Sequence, residues 1–505
     1  MKSIYITVFL VFSYMQYGLC QVNFDRHYET GFYSESFFVK QISGGKFLTL
    51  GYNHDSSPPF TTGVLKGILV IVDSIGDTVM IKKVGTDTSF HFFQYACNVN
   101  DSEFIAVGAY ANSSFNAYDY DLYLVRFNLN LDTIWTRTIS HFGTQALKPH
   151  SIIKTKDGHY VIGGYQNDWS NDWFTSFLMK IDGQGNSLWY KNYTTPGDHT
   201  IWGVAEANNG DLICSGTNYN TVDLSNLLIV KTDSMGNNYQ VLHDIATTDR
   251  NFGTMVMRTE ANNFIVAGLR RGCFTCDAYS WAILMDSAGT IIWDRTHVPA
   301  RDESGYSVIM PLANNAYLGI GVVNRYQESQ RGLILKMDAN GDSLWSREFY
   351  TPGSIEIFWD VDTTSDGGFI LCGETYCCNF NPGFGYTSSL WLVKTDSLGF
   401  ITTGINDLPG YHLYSMGQVY PNPANTVLQV PLDIPHATAA PATNGLAGNY
   451  LYVFDMQGRQ LMQQKVQPGN GTAQLDVSTL APGTYSMVLV AEGYSISHQK
   501  FVVLR

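Results

Sequence analysis

Seven copies of a unit of 52–57 residues predict an all-β fold, because each copy has a turn pair, an apolar strand ending in glycine and an Asp-x-x-Gly turn before a last strand. The expected architecture is a seven-bladed β-propeller of four-stranded blades, its ring closed by the N-terminal strand, followed by a small C-terminal β-sandwich. Composition agrees: 45% hydrophobic, 14% aromatic and 15% charged residues, with 47 glycines among 505 residues, suit packed strands and tight turns better than a disordered chain. The net charge of −14 sets aside nucleic acid as a partner, since a phosphate backbone needs a basic surface.

The first segment reads Met1-Lys2, an apolar stretch from Ile4 to Phe12, and then Gly18-Leu19-Cys20. A basic start, a short apolar run and small residues before a cleavage point are the parts of a secretory signal peptide, so residues 1–20 are expected to be removed between Cys20 and Gln21. A lipoprotein would instead be acylated at Cys20, but the bulky Leu19 disfavours it. No later run reaches the length of a transmembrane helix.

Within each repeat, a turn pair such as Asp157-Gly158 or Asn209-Gly210 joins the first strand to the second in a tight hairpin. The second strand ends at Gly51, Gly108, Gly164, Gly216, Gly268, Gly321 or Gly373, spaced 57, 56, 52, 52, 53 and 52 residues apart. The third runs into Asp73, Asp182, Asp233, Asp286, Asp338 or Asp396, each three residues before a glycine; the second copy has Asn128 and Leu131 there. The fourth carries Trp135, Trp189, Trp293 or Trp345. A large ring on an outermost strand covers the neighbouring unit and offers an indole N–H, so these tryptophans are read as structural.

The last repeat has a poor fourth strand, Phe400-Ile401-Thr402-Thr403, while the segment beginning Phe24-Asp25-Arg26 resembles the fourth strand beginning Trp345-Ser346-Arg347. Phe24 lies 27 residues before Gly51, as Trp345 lies 28 before Gly373. The N-terminal segment is therefore expected to supply the missing strand. The third-to-fourth-strand motif resembles the Trp-docking repeat of quinoprotein-type propellers and the propeller repeats of secreted Bacteroidetes proteins. Quinone chemistry is not carried over, and no cofactor is expected.

The propeller is assigned to residues 21–405, a linker to 406–417 and a further domain to 418–505. The tail has no cysteine and balanced charge, and alternating strands such as Tyr450 to Phe454 suggest a sandwich. Tyr420-Pro421-Asn422-Pro423, then Asp455-Met456-Gln457-Gly458, then Leu480-Ala481-Pro482-Gly483-Thr484-Tyr485, and finally Lys500, resemble the type A C-terminal sorting domain of the type IX secretion system. That resemblance implies the type IX machinery as a partner, passage across an outer membrane, removal of the domain, and release or attachment at the cell surface. An Ala/Pro/Thr-rich insert, roughly 434–448, departs from the pattern and is expected to be a surface loop.

No metalloprotease, nucleophile-elbow or phosphate-loop motif occurs. Seven cysteines follow the signal segment, an odd number. Cys273 with Cys276 could close a small loop, and Cys377 or Cys378 could pair with each other or with Cys372; a zinc site would need distant loops to meet. Alternating strands put the long second-to-third loops and the inter-blade loops on one face, where function concentrates. The candidate ligand residues there are Tyr118, Trp169, Trp173, Trp202, Tyr326, Trp359 and Tyr386, with Tyr110, Phe115, Tyr120, Tyr219, Phe274, Tyr376, Phe380 and Phe384 nearby. Aromatic side chains mixed with Asn and Asp suit sugar rings or a protein surface. The reading is a secreted or surface-held, non-catalytic propeller that binds glycan or protein. A polysaccharide hydrolase or lyase is the alternative, and would need His141, His199, Arg301, Asp302 and Glu303 to converge; a structural surface-layer component is the third.

Overall fold

A computed structural model describes residues 23–505 apart from 32, 55–64, 112–119, 141–144, 169–172, 195–197, 221–223, 246–250, 272–276, 298–302, 325–329, 351–353, 377–387, 402–413, 436–447, 457 and 492–493. Only backbone is described at Trp173 and Glu303. The architecture is all-β and propeller-like. Before residue 402 the strands form seven four-stranded antiparallel sheets. Six are simple meanders. The first, for example, runs through Tyr33–Ile42, Lys46–His54, Leu65–Val72 and Thr78–Val84. The seventh consists of Ile355–Thr363, Phe369–Tyr376 and Ser388–Thr395, with Phe24–Tyr28 paired along the last of these from Phe24 opposite Lys394 to Tyr28 opposite Leu390.

The Asp-x-x-Gly turns work as their side chains require. One Asp182 oxygen accepts the backbone N–H of Gln184 at 2.8 Å and of Asn186 at 2.9 Å, and Gly185 takes φ +79°. In the second copy Asn128 accepts the equivalent pair, and Leu131 adopts φ +59° without the freedom of a glycine. Each turn is covered by the outer strand of the preceding sheet. A Cβ on Gly185 would lie 2.8 Å from Trp135, and the Trp135 indole donates to the Gly183 carbonyl at 3.3 Å. Trp189 meets Gly236 in the same way, Trp293 meets Gly341, and Trp345 meets Gly399. Phe24, on the N-terminal strand, meets Gly76 of the first sheet, taking the place that the tryptophans hold elsewhere.

First and seventh sheets touch directly. The Val39 N–H donates to Asp360 at 3.1 Å, Lys40 to Asp362 at 2.8 Å, and the hydroxyls of Tyr33 and Tyr376 are 2.5 Å apart.

The first strand of every sheet contains a bulge, an extra residue opposite the second strand that turns its side chain out of the pairing. The register shifts fall at Phe37, Gln94, His150, Trp202, Thr254 with Met255, Ser307 and Trp359. These bulges explain the glycines that close each second strand. A Cβ on Gly216 would fall inside the Thr200 carbonyl oxygen, and one on Gly108 inside that of Phe92, in each case the residue two before the bulge. The other five closing glycines meet the corresponding carbonyl of their own sheet.

The tail is a two-sheet sandwich. Ser415–Met416, at the end of the segment read as linker, already pairs with Val427–Ile434, which pairs in turn with Gly469–Asp476. The second sheet orders Gln460–Val466, Asn449–Phe454, Gly483–Ala491 and Tyr494–Val503. Leu428, Val430, Leu451, Val453, Met487, Leu489 and Phe501 fill the space between them. Cys97, Cys214 and Cys372 are free thiols, so of the pairings open to Cys377 and Cys378 the one with Cys372 is not formed: Cys372 is sealed between sheets, its Sγ 3.7 Å from the Ser36 carbonyl. The other four cysteines after residue 20 lie outside the described residues, as do Cys20 and Gln21.

Candidate functional site

The seven bulged positions converge. Phe37, Gln94, His150, Trp202, Thr254, Ser307 and Trp359 all line one cavity of about 380 Å³, together with Phe252, Met255, Tyr306 and Ile357. Every one of the seven sheets contributes its first strand. Each bulged residue stands fourteen positions before its closing glycine, so the glycine that admits the bulge also marks the residue that faces the cavity. Lining residues such as Phe252, Gly305, Ile357 and Gln330 come from the starts of first and third strands, so the cavity belongs to the long-loop end. A second cavity of about 290 Å³ lies toward the tight-turn end, lined by Lys154, Glu206 and Arg258 among others; both cavities touch Tyr95 and Met255.

Two aromatic walls face the larger cavity. On one side His150 sits 3.9 Å from Trp202 between ring centroids and stacks on Tyr165 at 5.3 Å. Burial, reinforced by the charge of Lys148, pushes His150 well below the ordinary imidazole range, so it is a neutral ring at neutral pH. From Tyr165 the contacts continue through Phe174 and Tyr219 to Phe252, with centroid distances of 5.0, 6.3 and 6.5 Å. On the other side Trp359 lies 5.8 Å from Phe37, Phe37 lies 5.9 Å from Tyr52, and Tyr52 lies 6.0 Å from Tyr33. Tyr120 joins the belt through Phe92 at 5.7 Å.

Behind Trp359 lies a buried carboxyl pair. The indole N–H donates to Glu374 at 3.2 Å, and the Tyr376 hydroxyl donates to Glu35 at 3.2 Å. Burial, and then the charge of Glu35, drive Glu374 far above the carboxylate range, so it holds its proton and can bond Glu35. Lys148 is half-buried, its ammonium over the faces of Phe92 and Tyr165.

Of the aromatic residues expected from the sequence, Trp202 and Trp359 stand in the cavity wall. Tyr118, Trp169, Tyr326 and Tyr386 lie outside the described residues, and nothing is described of the Trp173 side chain. Among the residues of the enzymatic alternative, His199 is fully buried in the fourth sheet; His141, Arg301 and Asp302 lie outside the described residues. The sequence reading missed Phe37, Gln94, His150, Thr254 and Ser307. Their types have nothing in common, and the fixed spacing from the closing glycine is the signal that finds them.

The tail motifs hold the sandwich together. Asn422 accepts the Val502 N–H at 2.9 Å, Asp455 accepts that of Arg459 at 2.8 Å, and the Tyr485 hydroxyl donates to the Ala481 carbonyl at 2.6 Å. Tyr420-Pro421 and Asn422-Pro423 are both cis, Gly458 takes φ +81°, and Leu480 is buried in the core.

The family described as the secretion system C-terminal sorting domain matches residues 418–504. No curated protein matches the chain by sequence. Among solved structures, it is similar to a protein of unknown function from Dyadobacter fermentans, with 14% identity and a TM-score of 0.41 over 59% of this chain and 93% of that one. The β-propeller domain of the Trilobed protease from Pyrococcus furiosus is similar at 6% identity and TM-score 0.40, over 74% and 98%. An endo-arabinase from Bacteroides thetaiotaomicron is similar at 12% and 0.30, over 48% and 92%. The chain thus carries a type IX sorting domain behind a propeller-like body, and its destination is secretion or the outer cell surface. No helix among the described residues is long and apolar enough to cross a membrane.

Proposed function

We propose that this chain is a non-catalytic binding protein of the cell exterior, built on a closed seven-bladed propeller that grips a glycan or protein ligand in the aromatic mouth of its axis. Seven sheets, the pairing of Phe24–Tyr28 with the seventh, and the contacts between seventh and first sheets support a ring closed by the N-terminal strand. Residues 1–20 would be removed on export, 21–405 would form the propeller, 406–417 would join it to the sorting domain, and 418–505 would carry the address to the type IX machinery.

One observation carries the binding assignment: seven variable side chains, Trp202 and Trp359 among them, are turned into one cavity by a backbone device repeated in every sheet. The glycine scaffold is invariant through the repeats while the residue it presents changes each time. That pattern separates support from specificity. Exposed faces of Trp beside Gln94, Thr254 and Ser307 offer stacking area with a few hydrogen-bonding groups, which suits a sugar ring or an aromatic side chain. Glu35 and Glu374 are buried behind Trp359, held by its indole and by the Tyr376 hydroxyl, and neither lines the cavity. They suit a structural role behind the wall.

The test is to present the full chain to polysaccharides and cell-surface fractions and to analyse the same mixtures for products. Binding with no cleavage is expected. New reducing ends or unsaturated products would replace this reading with the hydrolase or lyase alternative, and an absence of both would shift it to the structural one.

A further inference from the structure

The outer strands carry a second periodic feature. Directly before the tryptophan position stands an aliphatic residue, Val79, Ile134, Leu188 and Ile292 in the first, second, third and fifth sheets, and in the fourth Val241 stands before Leu242, which covers the Gly289 turn there; each is between 38% and 50% exposed. The sixth copy, Leu344, is only 7% exposed. What covers it is the sorting domain: Leu344, Trp345, Phe400 and Ile401 of the propeller cluster with Tyr452, Phe454, Val488 and Val490 of the tail.

Both surfaces are made for this contact. In the tail, Leu451 and Val453 point into the sandwich while Tyr452 and Phe454 point out of it, so one strand serves two apolar faces. In the propeller, the residue after the turn glycine is polar in every other repeat, Asp77, Asp132, Asn186, Asn237, Thr290 and Asp342, and aromatic only in the last, at Phe400. Arg347 lies between the two surfaces. Its guanidinium carbon is 4.1 Å from the Phe400 ring centre, 5.0 Å from that of Trp345, 5.5 Å from Tyr452 and 5.8 Å from Phe454. It also donates to Gln460 at 3.1 Å, and Arg459 stands 3.9 Å from Asp338. The corresponding pair in the second sheet, Arg137 over Trp135, remains open to water. A guanidinium withdrawn from water needs such compensation, and ring faces on both sides supply it.

We propose that the sorting domain is clamped non-covalently to the sixth and seventh sheets through Arg347 and Phe400, so that cutting the chain between the two bodies does not by itself free the tail. The clamp sits on the outer rim. Among the described residues no tail residue lines the axial cavity. Separation of the tail from the propeller then has two steps, cleavage and undocking, and the second is set by these side chains.

The experiment inserts a specific protease site within 402–413 of the full chain, cuts it, and separates the products by size under native conditions. The cut wild-type tail is expected to co-elute with the propeller. Phe400→Asn, which restores the residue type of the other repeats, is expected to raise the free tail at least tenfold. Should that variant fail to fold, Tyr452→Ser/Phe454→Ser changes only outward-facing tail residues and is expected to release the tail equally. Free tail from the cut wild-type chain, or full retention by a folded variant of either kind, would overturn the proposal.

Discussion

Gly216→Ala is expected to destabilise the chain by about 3 kcal/mol or more, a large fraction of the stability of an ordinary domain. The added methyl collides with the carbonyl oxygen of Thr200, a backbone atom that no rotamer change can move aside. Relief requires the paired strand to shift at its bulge, and the bulge is what turns Trp202 into the cavity. Stability and ligand binding should therefore fall together. Gly471→Ala serves as the control, because a methyl there meets nothing within 4 Å. Denaturant midpoints for the two variants check the argument. Equal midpoints would remove the bulge as the reason for the repeating glycine.

Stability is also expected to decrease as pH rises from 5 to 9, the reverse of what salt-bridged carboxylates produce. Asp360 and Glu374 both lie where the seventh sheet meets the first. Burial lifts Asp360 to about 8, against the hydrogen bonds it accepts from the Val39 and Val361 N–H groups, and lifts Glu374 further, with the charge of Glu35 adding to it. Native protein therefore holds protons that the unfolded chain has released above pH of about 4. Their contribution is complete below that point and is lost as pH climbs through the folded values. With about 1.4 kcal/mol for each unit of displacement, the loss across this window is on the order of several kcal/mol. At the acid end Asp157 runs the other way: burial raises it, but bonds from Lys180 and Thr155 outweigh that and hold it at about 2, so its support fades only toward that pH. Urea unfolding at pH 5, 7 and 9 measures the trend. Glu374→Gln, an uncharged stand-in for the protonated acid, should reduce the slope and leave the share of Asp360, and a wild-type chain that grows more stable toward pH 9 would show that both acids are ionised.

Local chemistry made the repeats readable. Asp with Gly three residues on, Trp on the following strand and the closing glycine each answer to contacts within a sheet or with the next one, so they recur at fixed spacing. Even the N-terminal strand was legible, because Phe24 must fill the place of a tryptophan against Gly76. The cavity was half legible. Trp202 and Trp359 stand out as large rings, but His150 and Ser307 occupy equivalent places with no shared chemistry, and the bulge that presents them arises from pairing between strands. Glu35 and Glu374 are neighbours only because the chain returns on itself. Phe400 was visible as a weak end to the last repeat. Its reason, a face of the sorting domain, lies some fifty residues further on and could not be read locally. The sequence left open whether Cys372 pairs with Cys377 or Cys378, because only the fold shows that the strand turns its thiol toward the first sheet.

The claim that the axial mouth is the binding site is tested most directly by titrating a ligand found in the binding survey against three proteins: wild type, Trp202→Ala/Trp359→Ala, and the rim variant Trp135→Ala. Binding is expected to be lost in the double variant while it stays folded, and to be unchanged in the rim variant. Undiminished binding by the folded double variant would contradict the claim.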